Sequence, residues 1–421
     1  MILEKIGSFL FKNISPKQIV LKNTFWLLLG QISVRLFKFL LVVFAARILG
    51  PEGWGSFQYV LSIVTFFYIF SDLGINYLVV RDYQQKEDFK ERVNTGSFIR
   101  EFLAFISLII SLMASFIFEN IIFRKTFIIL SFFLFLGNIR NYVLSFFEAI
   151  QKMEKQFIVF FIESVATLVF GIVFLWNFKN ITSLAFAYFL GVASSFLICI
   201  ILAKKFLFYL KPKFNAQIFK YYFYNGLPLA LFGTLGLVFF SADQIILGKL
   251  KGVETVGYYS IASRIILILI SLPSLFLASL LPQLALSVAN KERLKTILKK
   301  SILLISLISF LLFILVLIFA DFFPIIFGEK YIPSIKPLKI LSLILLFIPL
   351  TNLFDNFLFS INKQWQDFFI TLFCAGLNVI LNFVFIPQYS IFGAIYATLI
   401  SQFINLILTS LLSYRYFKIL K

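Results

Sequence analysis

Between Asn23 and Arg81 the chain holds two apolar runs of about 20 residues each, joined at Gly50-Pro51-Glu52-Gly53. A related pattern returns from Asn225 to about Leu280. A run of that length lets one helix cross the roughly 30 Å hydrocarbon core of a bilayer. Proline fixes one backbone angle and glycine supplies the positive ones, so the joint reads as a tight turn and the pair as a transmembrane hairpin. The first helix carries Arg35 and Lys38 part-way along its length. A charge at that depth is costly unless it faces a wet or protein-lined interior, which makes both cations candidate functional residues.

Runs of this kind fill the rest of the sequence. Spans near 23–45, 57–80, 97–118, 126–147, 157–176, 183–203, 225–247, 256–280, 301–320, 338–360, 368–386 and 392–414 give about twelve helices. Only 14% of the residues are charged, against about a quarter in soluble proteins, and the reading is an all-α polytopic membrane protein. The net charge of +19 invites a nucleic-acid reading, but its distribution answers that. With the N-terminus inside, roughly 24 of the Lys and Arg fall on the inner side and about 9 on the outer. The asymmetry places both termini in the cytoplasm of a bacterial inner membrane and explains the excess without any nucleic-acid patch. Residues 1–22 show no cleavage site and read as an amphipathic interfacial segment, with Ile2, Ile6, Phe9 and Leu10 set against Glu4, Lys5 and Lys12.

The chain also repeats itself. Ile48-Leu49-Gly50 and Gly55-Ser-Phe57 are echoed by Ile246-Leu247-Gly248 and Gly257-Tyr-Tyr259. Lys155-Gln156-Phe157 is echoed by Lys363-Gln364-Trp365. Both offsets are about six helices, and an even number of spans gives the halves the same orientation. The expected organisation is an N-lobe at 23–203, a basic linker at 204–224, a C-lobe at 225–414 and a tail at 415–421. Two parallel six-helix lobes leave a central cleft.

His is absent, which removes His-based metal sites, Ser-His-Asp triads and His proton relays. No P-loop and no CxxC occur, and Cys199 and Cys374 lie inside apolar runs, so no cofactor is expected. Attention falls on the intramembrane polar residues. Gln31, Arg35 and Lys38 share one helix face. Arg140 and Arg264 are further intramembrane cations, and a cleft lined by such groups suits a phosphate-bearing ligand. Arg140 and Glu163 can equally neutralise each other as a structural pair. Arg100 and Glu101 lie within a turn of the inner end of their span and can snorkel. Asn378 and Asn382, four apart, read as interhelical glue or as ligands. Asp243 lies near the outer end of its span and can cap a turn. Without an ATP motif, any energy comes from an ion gradient or from the substrate's own gradient, with Asp72, Glu163, Asp243 and Asp355 as coupling candidates.

The motifs together resemble one family. Ala46-Arg47-Ile48-Leu49-Gly50-Pro51-Glu52-Gly53-Trp54-Gly55 is similar to the first loop of Wzx-type polysaccharide-unit flippases, as is Asp72-Leu73-Gly74-Ile75 followed by Arg81. Asn225-Gly226-Leu227-Pro228, Asp243-Gln-Ile-Ile-Leu247-Gly248, Val256-Gly257-Tyr258-Tyr259 and Ala262-Ser263-Arg264 continue the resemblance. Leu377-Asn378, Leu381-Asn382, Ile386-Pro387, Gly393-Ala394 and Ala397-Thr398 complete it, in order, over nearly the whole chain. The family belongs to the multidrug, oligosaccharidyl-lipid and polysaccharide exporter superfamily. The resemblance implies alternating access and transfer of an undecaprenyl-pyrophosphate-linked oligosaccharide between leaflets for O-antigen, capsule or exopolysaccharide. Polysaccharide polymerase and chain-length proteins are the implied partners.

Other readings fit less well. A multidrug antiporter of the same superfamily would be expected to carry a carboxylate in the first helix, where Arg35 and Lys38 stand. A lipid II flippase would carry two helices beyond the twelve counted here. A polysaccharide polymerase, an enzyme, needs a sizeable external loop with catalytic Arg or His, and every connection here is short. The expectation is a transporter and not an enzyme.

Overall fold

The computed structural model describes residues 10–11, 13–68, 71, 74–83, 89–207 and 211–419. Among them every regular element is helical, as the absence of water in a bilayer core requires of a chain that must satisfy its own backbone. The α-helices are α1 Pro16–Phe67, α2 Ile75–Asp82, α3 Phe89–Ala114, α4 Ile121–Ala149, α5 Met153–Phe178, α6 Ile181–Leu207 and α7 Ala216–Lys251. They continue with α8 Val253–Ser287, α9 Lys291–Phe319, α10 Phe323–Phe327, α11 Ile335–Leu341, α12 Ile344–Ser360, α13 Gln364–Tyr389 and α14 Ile391–Ile419. Among the described residues nine helices are long and apolar enough to cross a membrane. A tenth span is bent by 45° between Glu329–Leu341 and Ile344–Ser360, and α7 covers the stretch expected for the seventh. The chain is a polytopic all-α membrane protein.

Two details differ from expectation. The Gly-Pro-Glu-Gly joint is a single break rather than a four-residue turn. Only Gly50 leaves helical geometry, at φ 67° and ψ 179°, and Pro51 opens the following helix where its missing N–H costs nothing. The second expected span, 57–80, is interrupted: α1 stops at Phe67 and helix resumes at Ile75. Gly74 caps the restart in the left-handed region at φ 69°, and a Cβ there would land on the carbonyl of Gly226. Only glycine meets both demands.

The chain divides into two units. The first comprises residues 1–49 and 63–231. Lys22, fully buried, ties the start of α1 to the start of α5 through Glu154 Oε2 at 3.1 Å, Gln151 O at 3.1 Å and Asn13 Oδ1 at 2.6 Å. At the far end of α2, Tyr221 donates to Asp82 Oδ2 at 2.6 Å while the Arg81 and Arg92 guanidiniums lie 3.0 and 3.7 Å from the same carboxylate. Burial and then the Asp82 hydrogen bond raise the Tyr221 phenol above its ordinary pKa, so it stays a donor. Of the expected interfacial segment, residues 1–9 and Lys12 lie outside the described residues.

The second unit comprises residues 50–62 and 232–421. Its Gly50–Ser62 stretch crosses the start of α8 in a reciprocal way. A Cβ on Gly55 would strike the Val253 carbonyl, and one on Gly257 would strike the Pro51 carbonyl. The two glycines occupy equivalent places in the sequence repeat, so each repeat supplies one glycine and one carbonyl to the crossing. Small residues permit this approach, as in other membrane helix pairs. Trp54 Nε1 to Ser260 Oγ at 2.9 Å locks it, and Ser62 Oγ to Gln244 Oε1 at 3.0 Å ties the same stretch to α7. Gly55→Val is expected to cost about 1–3 kcal/mol by overpacking against backbone. Gly376→Ala, in α13 with nothing within 4 Å of the new Cβ, is expected to gain about 0.5–1 kcal/mol. Thermal unfolding of the two variants in one detergent gives the comparison.

Candidate functional site

In the first unit, one face of α1 opposes the start of α5 around a cavity of about 300 Å³. Helical spacing brings Leu27, Gln31, Val34, Arg35 and Lys38 to that face, and α5 adds Met153, Gln156, Phe157 and Phe160. Arg35 Nη2 donates to Gln31 Oε1 at 3.0 Å, which holds the guanidinium on the cavity face of α1. Gln156 donates to Glu148 Oε1 at 2.8 Å, and its own Oε1 has no partner among the described residues. Trp26 spends its indole N–H on Leu10 O at 2.7 Å, so it offers the cavity a ring and not a donor. That ring packs against Phe157 at 5.0 Å between centroids. Two cations, two amides and a wall of aromatic rings can hold a phosphate beside an apolar-faced polar group such as a sugar.

The remaining expected cations have other surroundings. Arg140, 5% exposed, forms an ion pair with Glu163, 7% exposed, and also donates to Ser195 Oγ at 2.9 Å and Asn141 Oδ1 at 3.0 Å. The structure therefore pairs a residue expected at the substrate with one expected at the ion, and both are occupied by each other. The Arg140 guanidinium lies 5.0 Å above the Phe160 ring and touches the cavity only through it. Arg100 does not snorkel. It is 3% exposed and donates to Ser71 O at 2.7 Å and Asn138 O at 3.0 Å, satisfying a carbonyl released where the second span breaks. Arg264 belongs to the second unit, where it is half-buried and donates to Gln58 Oε1 at 3.0 Å. Asp72 lies outside the described residues.

The second unit holds a polar cluster whose members the sequence presented only singly. Asp243 does not cap a turn. It is completely buried, and side chains from α8, α13 and α14 converge on it. Asn382 Nδ2 donates to Oδ1 at 2.6 Å, Thr398 Oγ1 lies 2.7 Å from Oδ2, and Tyr259 donates its phenol to the same oxygen. Asn378 links to both Asn382 and Thr398, at 3.2 and 3.4 Å. All five residues have no exposed surface, and the Asn382 carbonyl oxygen has no partner among the described residues. Asp243 has no ion-pair partner among them either, so the cluster carries one carboxylate surrounded by neutral oxygen and nitrogen groups. Asn378 and Asn382 thus do more than join two helices. Asp355 on α12 neighbours a second carboxylate, the buried Asp367 on α13, which the sequence reading passed over.

Comparison with known proteins follows the same lines. A family model described as polysaccharide biosynthesis protein matches residues 20–288, and one described as MatE matches residues 228–384. A capsular polysaccharide biosynthesis protein, CapF, from Staphylococcus aureus is 25% identical over 94% of this chain and 99% of its own length. A putative O-antigen transporter from Shigella flexneri is 25% identical over 78% of this chain and 81% of its own. The inward-facing structure of a multidrug resistance MATE transporter superposes with a TM-score of 0.67 over 99% of this chain and 98% of that one, at 14% identity, a likeness of fold.

The pairing of Arg140 with Glu163 predicts an asymmetric mutational response. Arg140→Met alone leaves a buried carboxylate unanswered and is expected to destabilise by about 3–5 kcal/mol. Arg140→Met combined with Glu163→Leu is expected to recover most of that loss. Melting of the purified variants in detergent measures both.

Proposed function

This chain belongs to the polysaccharide biosynthesis protein family, and from that premise we propose that it is a flippase for lipid-linked oligosaccharides. It would carry polyprenyl-pyrophosphate-linked repeat units across the bacterial inner membrane for surface polysaccharide assembly. The observation that carries the reading is the cavity of Gln31, Arg35, Lys38 and Gln156 walled by Trp26, Phe157 and Phe160. The Arg35 guanidinium and Lys38 ammonium answer the pyrophosphate. The Gln31 and Gln156 amides answer sugar hydroxyls, and the rings answer the apolar faces of the sugars. The polyprenyl tail stays in lipid throughout, because no gain follows from moving it out of hydrocarbon.

Transport needs a cycle in which the loaded and empty protein prefer different states. Desolvating Arg35 and Lys38 without an anion is costly, so the bound pyrophosphate favours occlusion. Asp243 supplies the candidate counterpart. A proton or a monovalent cation taken up at its carboxylate would neutralise the one charge of that sealed cluster, whose other members, Asn378, Asn382, Thr398 and Tyr259, are neutral hydrogen-bonding groups. The surplus of Lys and Arg in the inner connections supports cytoplasmic termini. Polymerase and chain-length proteins would then receive the unit on the outer face.

Cells lacking the protein are expected to accumulate a single lipid-linked repeat unit that an impermeant probe added from outside does not reach. Arg35→Ala with Lys38→Ala should fail to restore export while inserting at normal levels. The expected loss is tenfold or more in export rate, equivalent to roughly 1.4 kcal/mol. Units that reach the outer face unpolymerised in the deletion strain would place the step downstream. Unchanged lipids with altered drug tolerance would point to multidrug exchange.

A further inference from the structure

A second cavity, of about 550 Å³, lies in the second unit between α9, α12 and α14. Its walls are apolar: Leu298 and Ile302 on α9, Phe354 and Phe357 on α12, Leu411 and Phe417 on α14. It takes no part in the transport mechanism above. Two lysines line one end of it, Lys295 and Lys299, one turn apart on the first turns of α9. Both are exposed, and neither has an ion-pair partner among the described residues. Lys291 is engaged elsewhere, donating to Lys418 O at 3.2 Å with its ammonium 5.9 Å from the centre of the Phe417 ring. Glu292, in the first turn of α9, does not line the cavity.

The geometry is that of a membrane interface. The lysine end of α9 is where α12 and α14 terminate, at Ser360 and Ile419, and the excess of Lys and Arg assigns that end to the cytoplasmic side. Ile302 lies about 10 Å further along the helix than Lys295, so cation and apolar wall are stacked along the membrane normal. Ile302, Leu303, Leu307, Phe310 and Leu311 on α9 are exposed apolar side chains, so this side of the unit faces lipid. Ser413, buried in the wall, has a hydroxyl with no partner among the described residues. A free cationic pair above an apolar trough is complementary to a single class of molecule in its reach: an anionic lipid of the inner leaflet.

We propose that this groove is a binding site for one anionic phospholipid, its phosphate between Lys295 and Lys299 and one acyl chain along Ile302, Phe354 and Leu411. The site is independent of the substrate cavity in the first unit and stands or falls separately from the transport reading. Native mass spectrometry of the full chain in detergent tests it, with phosphatidylglycerol and phosphatidylcholine of matched acyl chains as probes. Retention of one phosphatidylglycerol is expected with roughly tenfold preference over phosphatidylcholine. Lys295→Gln with Lys299→Gln should erase the preference. Leu411→Trp, at a 59% exposed position on the rim, should weaken both lipids together by filling the trough. Equal retention of the two lipids by the unsubstituted chain would overturn the site, as would a preference that survives loss of both lysines. Displacement of phosphatidylglycerol by a polyprenyl phosphate at equal concentration, with the same lysine dependence, would also overturn it and assign the groove to the transported lipid.

Discussion

A charge placed inside hydrocarbon must be answered by another charge, by a dipole or by a ligand, and the internal order of this protein follows from how each charge is answered. Lys22 is met by Glu154 and a carbonyl, and that contact seats α1 on α5. Arg140 is met by Glu163, which joins α4 to α5. Arg100 is met by the carbonyls of Ser71 and Asn138, which makes the break in the second span tolerable. Arg35 and Lys38 line a cavity, and Asp243 is ringed by neutral groups. A structural role consumes the first group. The proposed transport cycle draws on the second.

Close backbone approach is the other organising device. The Gly55 and Gly257 crossing works only because both repeats kept the same small residue at the same place relative to a carbonyl that the other needs. Neither position tolerates a Cβ, so the repeat visible as a faint echo in sequence is exacting at these two points. The Gly74 contact with Gly226 applies the same logic within the first unit, where a left-handed cap and a passing backbone both exclude side chains.

Much of the fold was legible because it depends on local quantities. Hydropathy averaged over a window marks a span whatever it packs against, and the all-helical, membrane-spanning class followed from that. The face shared by Gln31, Arg35 and Lys38 was likewise local, set by helical spacing alone. What escaped was everything that needs a distant partner. Asp243 looks like an outer-end cap until Asn382 and Thr398, 139 and 155 positions away, are seen to converge on it. Arg100 looks like a snorkelling residue until the second span proves to be broken, and the glycine that caps the restart lies 152 positions before the one it meets. The Arg140 and Glu163 pair was visible as one of two alternatives, and only packing decides between them.

The central claim is that the Arg35 and Lys38 cavity carries the headgroup of a lipid-linked saccharide. Reconstitution in liposomes tests it most directly. A fluorescent polyprenyl-pyrophosphoryl saccharide is loaded into both leaflets, and the inner pool is followed as it becomes reachable by an impermeant quencher outside. The account predicts that the unsubstituted protein empties the inner pool and that Arg35→Gln with Lys38→Gln does not. An inner pool that stays shielded with the unsubstituted protein, or empties equally fast with the double variant, would contradict it.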